Sequence, residues 1–410
     1  MPPGSLPFCF LAVCALAFTS CTGGSIHAAP GLETQAPVPI LAPAPTTVRF
    51  SFGNATEGLA AGEPAYLVFT ARDAAGRFCR LDRSGQFQPC STADNVVQKD
   101  GRSWCDYGIP MNELRQLDLP PGARLDSARV YFSVGSPLYL RVDELTGGLV
   151  QPDPANPSDP NASIRYDWIE LALDDTGFHG NTTSVDQYGL SVALSVVDRT
   201  DPDHPLGPVG ITESRSALFA AWRAEMPASF AALADAGDLR ILAPAHGAFR
   251  NSGQQGDYLR EYIDRMWARY RGEPLVLTPD EGTFTGQVDE QDRIIFTREG
   301  DPAPYVIAGK PTTQEAFLGD GVLAQGSGLE KVLGAQIAAL LNRHLLENPG
   351  AWRDASAYYL QEPCNRYAWF WHRHSLGGKA YGFAYDDVND QSSSLAARDP
   401  QEIRVILRWD

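Results

Sequence analysis

Positive charge is what this 410-residue chain has least of: 33 Lys and Arg stand against 50 Asp and Glu, for a net charge of −17. A field of that sign repels nucleic acid and anionic membrane surfaces, so neither is expected as a partner. Long apolar runs are missing too, and the run 6–18 is too short for a comfortable bilayer span. There is no Gly-x-Ser-x-Gly elbow, which argues against an α/β-hydrolase. The glycines at 319, 321, 326 and 328 lack the Lys-Ser or Lys-Thr of a phosphate loop, so no nucleotide cofactor is implied and none of any other kind is expected. The seven cysteines show no zinc-finger spacing and the few histidines are not placed near them, so no structural metal is expected. No internal repeat is visible.

What is present begins with an export signal. The run 6–18 has signal-peptide length, and Phe18-Thr19-Ser20-Cys21 fits a relaxed lipoprotein signal with Cys21 as the acylated residue, although no Lys or Arg precedes the run. Cleavage near Ala28 or Ala29 is the alternative, and it would release a free protein. Residues 1–21 are therefore read as a signal and 22–46, rich in Pro and Ala, as a tether, giving a secreted or cell-surface protein. Cys79, Cys90, Cys105 and Cys364 remain, an even set that permits two disulfides in an oxidising compartment. Cys79 and Cys90 flank a short Arg-Ser-Gly hairpin and form the expected first pair, leaving Cys105 and Cys364 for the second.

With 43% hydrophobic residues the chain can bury a substantial core. From Thr47 the pattern is short alternating runs punctuated by Gly, Pro and Asp, which predicts an antiparallel β-sandwich or open barrel over 47–205. After 205 the period becomes helical. Leu218, Phe219, Trp222 and Phe230 mark a helix broken at Pro227; Tyr262, Ile263, Met266 and Trp267 mark a second; Ser327 and Glu330 cap a third that runs to about 346. Residues 206–350 thus read as an α/β unit, and 351–410 as strands returning to the β unit from about Ala357. The middle unit would then be an insertion, with two walls around one wide cleft.

The residues that carry chemistry stand near Phe178. Glu170 and Asp186 each lie eight positions from it, so a simple hairpin folded there would set them opposite each other. Strand alternation puts Trp168, Glu170, Ala172 and Asp174 on one face, with Ile169, Leu171 and Leu173 on the other. Two carboxyl groups across a cleft can split a glycosidic bond, one protonating the leaving oxygen and one activating water. Desolvation by Trp168 and the charges of Asp174 and Asp186 would keep Glu170 protonated, favouring Glu170 as acid and Asp186 as base. On pattern alone, two solvated surface acids are the simpler reading, because acidic hairpins are common in acidic proteins.

A family resemblance separates these readings. The segment Trp168-Ile169-Glu170, continued by Asn181-Thr182-Thr183-Ser184-Val185-Asp186-Gln187-Tyr188-Gly189-Leu190, resembles the catalytic block of glycoside hydrolase family 64. Asn365-Arg366-Tyr367-Ala368-Trp369-Phe370-Trp371-His372 and Tyr381-Gly382-Phe383-Ala384-Tyr385-Asp386-Asp387 are similar to its C-terminal signature and to the Tyr-Asp-Asp strand of thaumatin-like proteins, and Ala338-Ala339-Leu340-Leu341-Asn342-Arg343 to the helix before it. The resemblance implies a mainly β fold, a thaumatin-like barrel or sandwich with an inserted α/β domain. It also implies an inverting endo-β-1,3-glucanase, monomeric, with Glu170 and Asp186 catalytic and with Trp168, Asp174, His179, Asn181, Thr183, Asp386 and Asp387 toward the glucan. Ala172, Asp174 and His179 depart from the Thr, Asn and Trp common in the family, which motivates a second reading as a non-catalytic β-1,3-glucan-binding protein.

Overall fold

The computed structural model describes residues 47–54, 63–235 and 237–410; the expected signal, tether and Cys21 lie outside them. Two sheets face each other. The five-stranded one runs, edge to edge, Asp201–Gly210, Ser191–Asp198, Pro400–Arg408, Val48–Asn54 and Gln116–Leu119. Its C-terminal strand lies parallel to the first described strand and antiparallel to Ser191–Asp198, so the first and last strands of the described residues are neighbours in one sheet. The eight-stranded sheet carries Gly177–Thr182, Arg165–Asp174, Leu125–Val134 and Ala65–Arg72 as neighbours, with Ser394–Ala397 at one edge.

Alternation decides which residues fill the space between. Phe50, Leu194, Ile403 and Val405 from one sheet meet Phe69, Val130, Phe132, Ile169 and Leu171 from the other. Burying each such side chain contributes about 1.5–3 kcal/mol. The same alternation turns Trp168 and Glu170 to the outer face, as the sequence predicts.

A second large core surrounds the helices Arg215–Glu225, Arg260–Gly272, Gly328–Asn342 and Arg366–His374, with a four-stranded sheet spanning 275–307. The first helix stops at Met226 before Pro227, and Ala228–Ala231 restarts it. The Ser327 amide donates to Glu330 Oε2 at 2.6 Å, the expected cap. The helix ends at Asn342 rather than 346, because the chain turns at His344 with a positive φ of 55°.

Other expectations are corrected. The extended strand reaches Gly210, with its first eight residues exposed, before helix begins. The return to strands begins at Ser394, later than Ala357: before it, Arg366–His374 is a helix capped by the Asn365 side chain, and it buries Tyr367, Ala368, Phe370 and Trp371. That 1-2-4-5 spacing is a helical face, and packing against Tyr188 and Trp222 overrides the strand preference of an aromatic-rich run. Tyr385-Asp386-Asp387 lies in a turn, not a strand.

All four described cysteines are free. Cys79 pairs in register with Pro89, so Cys90 falls one position off and emerges on the opposite sheet face: Cys79 packs between the sheets and Cys90 against the outer cluster. Cys105 belongs to that outer cluster and Cys364 to the helical core, which separates the second expected pair.

Asp386, expected to face a sugar, is fully buried. Its carboxylate takes Arg343 Nη2 at 3.0 Å and the Gly382 amide at 3.0 Å, with His372 Nε2 3.0 Å away. It ties the helix Gly328–Asn342 to the helix Arg366–His374. Asp386→Ala is expected to cost about 3–5 kcal/mol in urea unfolding, since Arg343 would be left buried without its counter-charge; a midpoint equal to wild type would contradict this.

Candidate active site

Glu170 sits in the middle of a strand paired on both sides, opposite Arg129 on Leu125–Val134 and opposite Asn181 on Gly177–Thr182. Cross-strand neighbours on one face are within side-chain reach. Arg129 Nε and Nη2 both point to Glu170 Oε1, at 3.1 and 2.9 Å, and Trp168 Nε1 stands 3.4 Å from the same oxygen. The third arm of the fork, Nη1, donates to Gln151 Oε1 at 3.1 Å, which the Tyr131 hydroxyl also engages. The expected isolation of Glu170 against Trp168 is thus corrected: a guanidinium lies on its carboxyl.

Asp186 is not across a hairpin from Glu170. The hairpin closes at Asp174 and Gly177, with Asp175 and Thr176 as the turn; the Asp174 carboxylate caps the Thr176 amide at 2.7 Å, and Gly177 takes a φ of 115°. Asp186 instead follows the end of the strand at Thr182 and is placed from elsewhere. Gln187 and Tyr188 pair with Leu242 and Ile241, the Asp186 carbonyl accepts from the Ala243 amide at 2.9 Å, and the Ser184 carbonyl accepts from the Tyr367 hydroxyl at 2.6 Å.

The charges of the two acids nevertheless act on common groups. Both act electrostatically on Arg129 and on the Tyr131 hydroxyl. His246, just after the Leu242 strand, holds Nε2 2.9 Å from Asp186 Oδ1, an ion-pair distance outside hydrogen-bond geometry. Burial pushes the Asp186 carboxyl up; the His246 ring and the Arg129 charge outweigh it and hold the group below the usual carboxylate range.

Beneath this surface lies Asp167, buried, its Oδ2 accepting from Gly189 at 2.8 Å and Leu190 at 3.2 Å and its Oδ1 from the Trp168 amide at 2.9 Å. Burial raises it to about 7 against the lowering effect of those three amides.

Other expected residues are distributed unevenly. Trp168 is 3% exposed and packs with Tyr131 and Tyr166, so it supports the floor and does not line it. Thr183 is buried, accepting from the Val185 amide at 3.2 Å. Asn181 lies opposite Glu170 with its Oδ1 buried and unpartnered. Asp174 and His179 meet near the hairpin end, joined through the Thr176 hydroxyl at 2.5 and 2.9 Å; Asp174 stands roughly 13 Å along the strand from Glu170, and His179, opposite Ala172, roughly 7 Å. Asp387 is exposed, and the Tyr381 hydroxyl feels both it and Glu170. Arg129, Tyr131, Gln151 and His246 were not singled out from sequence. Arg129 and Tyr131 had a signal, polar tips alternating through the apolar strand 128–134; His246 had none.

A two-sheet β scaffold that holds one cation-paired carboxylate on its outer face, with a second cation-paired carboxylate on the segment that follows the hairpin, defines a protein with an acid–base site. The chain belongs to glycoside hydrolase family 64: the model of that family, described as beta-1,3-glucanase, matches residues 46–407. A glucan endo-1,3-beta-glucosidase of Cellulosimicrobium cellulans is 31% identical over 293 residues, 68% of this chain and 52% of that protein, so the chain spans about half the relative's length. The crystal structure of a beta-1,3-glucanase domain of the family from Clostridium beijerinckii superimposes with a TM-score of 0.81 at 32% identity, covering 91% of this chain and all of that one. A laminaripentaose-producing beta-1,3-glucanase from Paenibacillus barengoltzii, solved with laminarihexaose, gives 0.70 at 29% identity over 90% and 76%.

Two outcomes are expected here. Arg129→Met should lower kcat by about 100-fold through misplacement of Glu170, with an unchanged circular dichroism spectrum, and Arg129→Lys should recover only part of it because Lys lacks the planar fork. Asp167→Ala strands the buried Gly189 and Leu190 amides, costing about 1–3 kcal/mol for each in denaturant unfolding.

Proposed function

We propose that this chain is an endo-β-1,3-glucanase that hydrolyses linear β-1,3-glucan to oligosaccharides by single displacement with inversion. The observation that carries the reading is that Glu170 and Asp186, from different segments, are each held by their own cation at 2.9 Å, Arg129 and His246, while the charges of both acids act on Arg129. The names of the relatives and the laminarihexaose bound to one of them support the substrate.

The contacts assign the roles. All three donors on Glu170 converge on Oε1, leaving Oε2 to carry the acid's proton. As that proton passes to the glycosidic oxygen, Arg129 meets the charge left behind. Asp186, held ionised, takes a proton from the water that attacks the anomeric carbon on the opposite face. The leaving chain departs with Glu170's proton, and both carboxyls then re-equilibrate with solvent.

Several further parts belong to the same proposal: membership of the thaumatin-like superfamily, a β unit that runs on to Gly210, an α/β unit after it and C-terminal strands that rejoin the first, a monomer, and export with a lipid on Cys21. They rest on sequence pattern and resemblance. The family's subsite positions, altered here at Ala172, Asp174 and His179, bear on chain length or fine specificity, because they run along the hairpin from beside Glu170 toward its end.

Glu170→Gln and Asp186→Asn should each lower laminarin hydrolysis by about 10²–10⁴-fold without loss of fold. Proton NMR of the first products should show the α-anomer; an initial β-anomer would overturn inversion. Wild-type protein that binds linear glucan but releases no reducing ends would instead establish the non-catalytic reading.

A further inference from the structure

We propose that His246 is a positioning residue for the reaction: its imidazolium keeps Asp186 ionised and oriented as the base, and so sets the acid limb of the pH–rate profile. The inference rests on the reading of Asp186 as the base and adds to it a residue from the helical part of the chain.

The geometry begins with the short ladder that pairs Gln187 with Leu242 and Tyr188 with Ile241. The Ala243 amide then binds the Asp186 carbonyl, and the turn Pro244–His246 carries the imidazole back over the Asp186 side chain. Backbone pairing alone therefore fixes His246 against Asp186, at 2.9 Å between Nε2 and Oδ1. Nε2 is buried at that contact, and the close approach of the ring as well as its charge lowers the Asp186 carboxyl. The groups facing the pair are of known sign. Asp186 faces Arg129 from the sheet, with the Tyr131 and Tyr367 hydroxyls and the Asp167 carboxyl nearby. His246 faces Asp186, Asp153 from the loop before the Glu170 strand, and Asp320 from the loop after the helix Thr313–Leu318. Burial lowers the imidazole, and these three carboxylates more than offset it, so the ring is held above its ordinary value.

The sign follows. A base must be ionised to work, so activity falls as pH drops through the Asp186 value. A cation alongside lowers that value and extends activity to lower pH. Removing the cation raises it, leaving only Arg129 to help. Loss of the His246 proton at high pH has no such effect, because Asp186 is ionised there already. The two acids are therefore treated differently: the cation on Glu170 never titrates, and the one on Asp186 does.

The test uses the full chain on laminarin. In His246→Gln the acid limb of kcat/KM should move to higher pH by about one pH unit, while the alkaline limb stays in place. A lowered rate with an unmoved acid limb would assign His246 a structural role and overturn the proposal. A second measurement needs no change at His246: by histidine NMR, its titration midpoint should be high in wild type and fall in Asp186→Asn. An unmoved midpoint would sink the proposal even if His246→Gln fails to fold. Failure of the underlying reading looks different, since Asp186→Asn would then retain wild-type hydrolysis.

Discussion

Everything at the site depends on one buried carboxylate that does no chemistry. Asp167 stands three residues before Glu170, on the same strand, and its Oδ2 holds the amides of Gly189 and Leu190, three and four residues after Asp186. The strand that carries one acid thus grips the segment that carries the other. Gln187 adds a second tie, donating Nε2 to the Tyr166 carbonyl at 2.8 Å. Gly189 has to be glycine for this approach, because a Cβ there would stand 2.1 Å from that same carbonyl oxygen. Hydrolysis by paired carboxyls demands a set separation, and here the setting is done by backbone amides.

The surroundings of the two acids explain how a chain of net charge −17 can concentrate carboxylates in one place. Each is matched with a cation brought from a different direction: Arg129 directly across the ladder, His246 from beyond the Leu242 strand. Arg129 is a fixed charge whose planar fork also organises Gln151 and Tyr131, so it orients Glu170 as well as neutralising it. A titratable imidazole beside Asp186 imposes a charge that depends on pH. In the proposed mechanism the cation on Asp186 favours the ionised form the base requires, and the Arg129 charge stabilises Glu170 once its proton has left.

How much of this could be read from sequence follows from the range of each interaction. Alternation over 168–174 gave the correct face for Trp168 and Glu170 and the correct core for Ile169, Leu171 and Leu173, because strand period is local. The helix cap at Ser327 and the break at Pro227 were legible for the same reason. The hairpin register was not: a symmetric fold about Phe178 ignored the turn chemistry of Asp174 and Gly177, and the shift moved Asn181 into the place given to Asp186. The helix at 366–374 was hidden by aromatics that favour strands in isolation and pack as a helical face here. Asp386 and the cysteine pairs failed on tertiary placement, which spacing does not report. His246 lies sixty residues beyond Asp186 and meets it only through a two-residue ladder.

The two acids are consequently held by different kinds of structure. Glu170 is part of a continuous ladder, bonded to strands on both sides, and the apolar core behind Leu171 fixes its height. Asp186 leaves the ladder after Thr182 and is kept in place by separate polar contacts: Asp167, Gln187, the Ala243 amide, the Tyr367 hydroxyl on Ser184, and the Tyr381 carbonyl, which accepts from the Ser184 amide at 2.9 Å. No disulfide reinforces them among the described residues. Buried polar contacts of this sort contribute little net stability when complete and cost much when one partner is lost. Substitutions under the Asp186 segment should therefore impair catalysis well before they unfold the sandwich, whereas substitutions behind Glu170 act on both together.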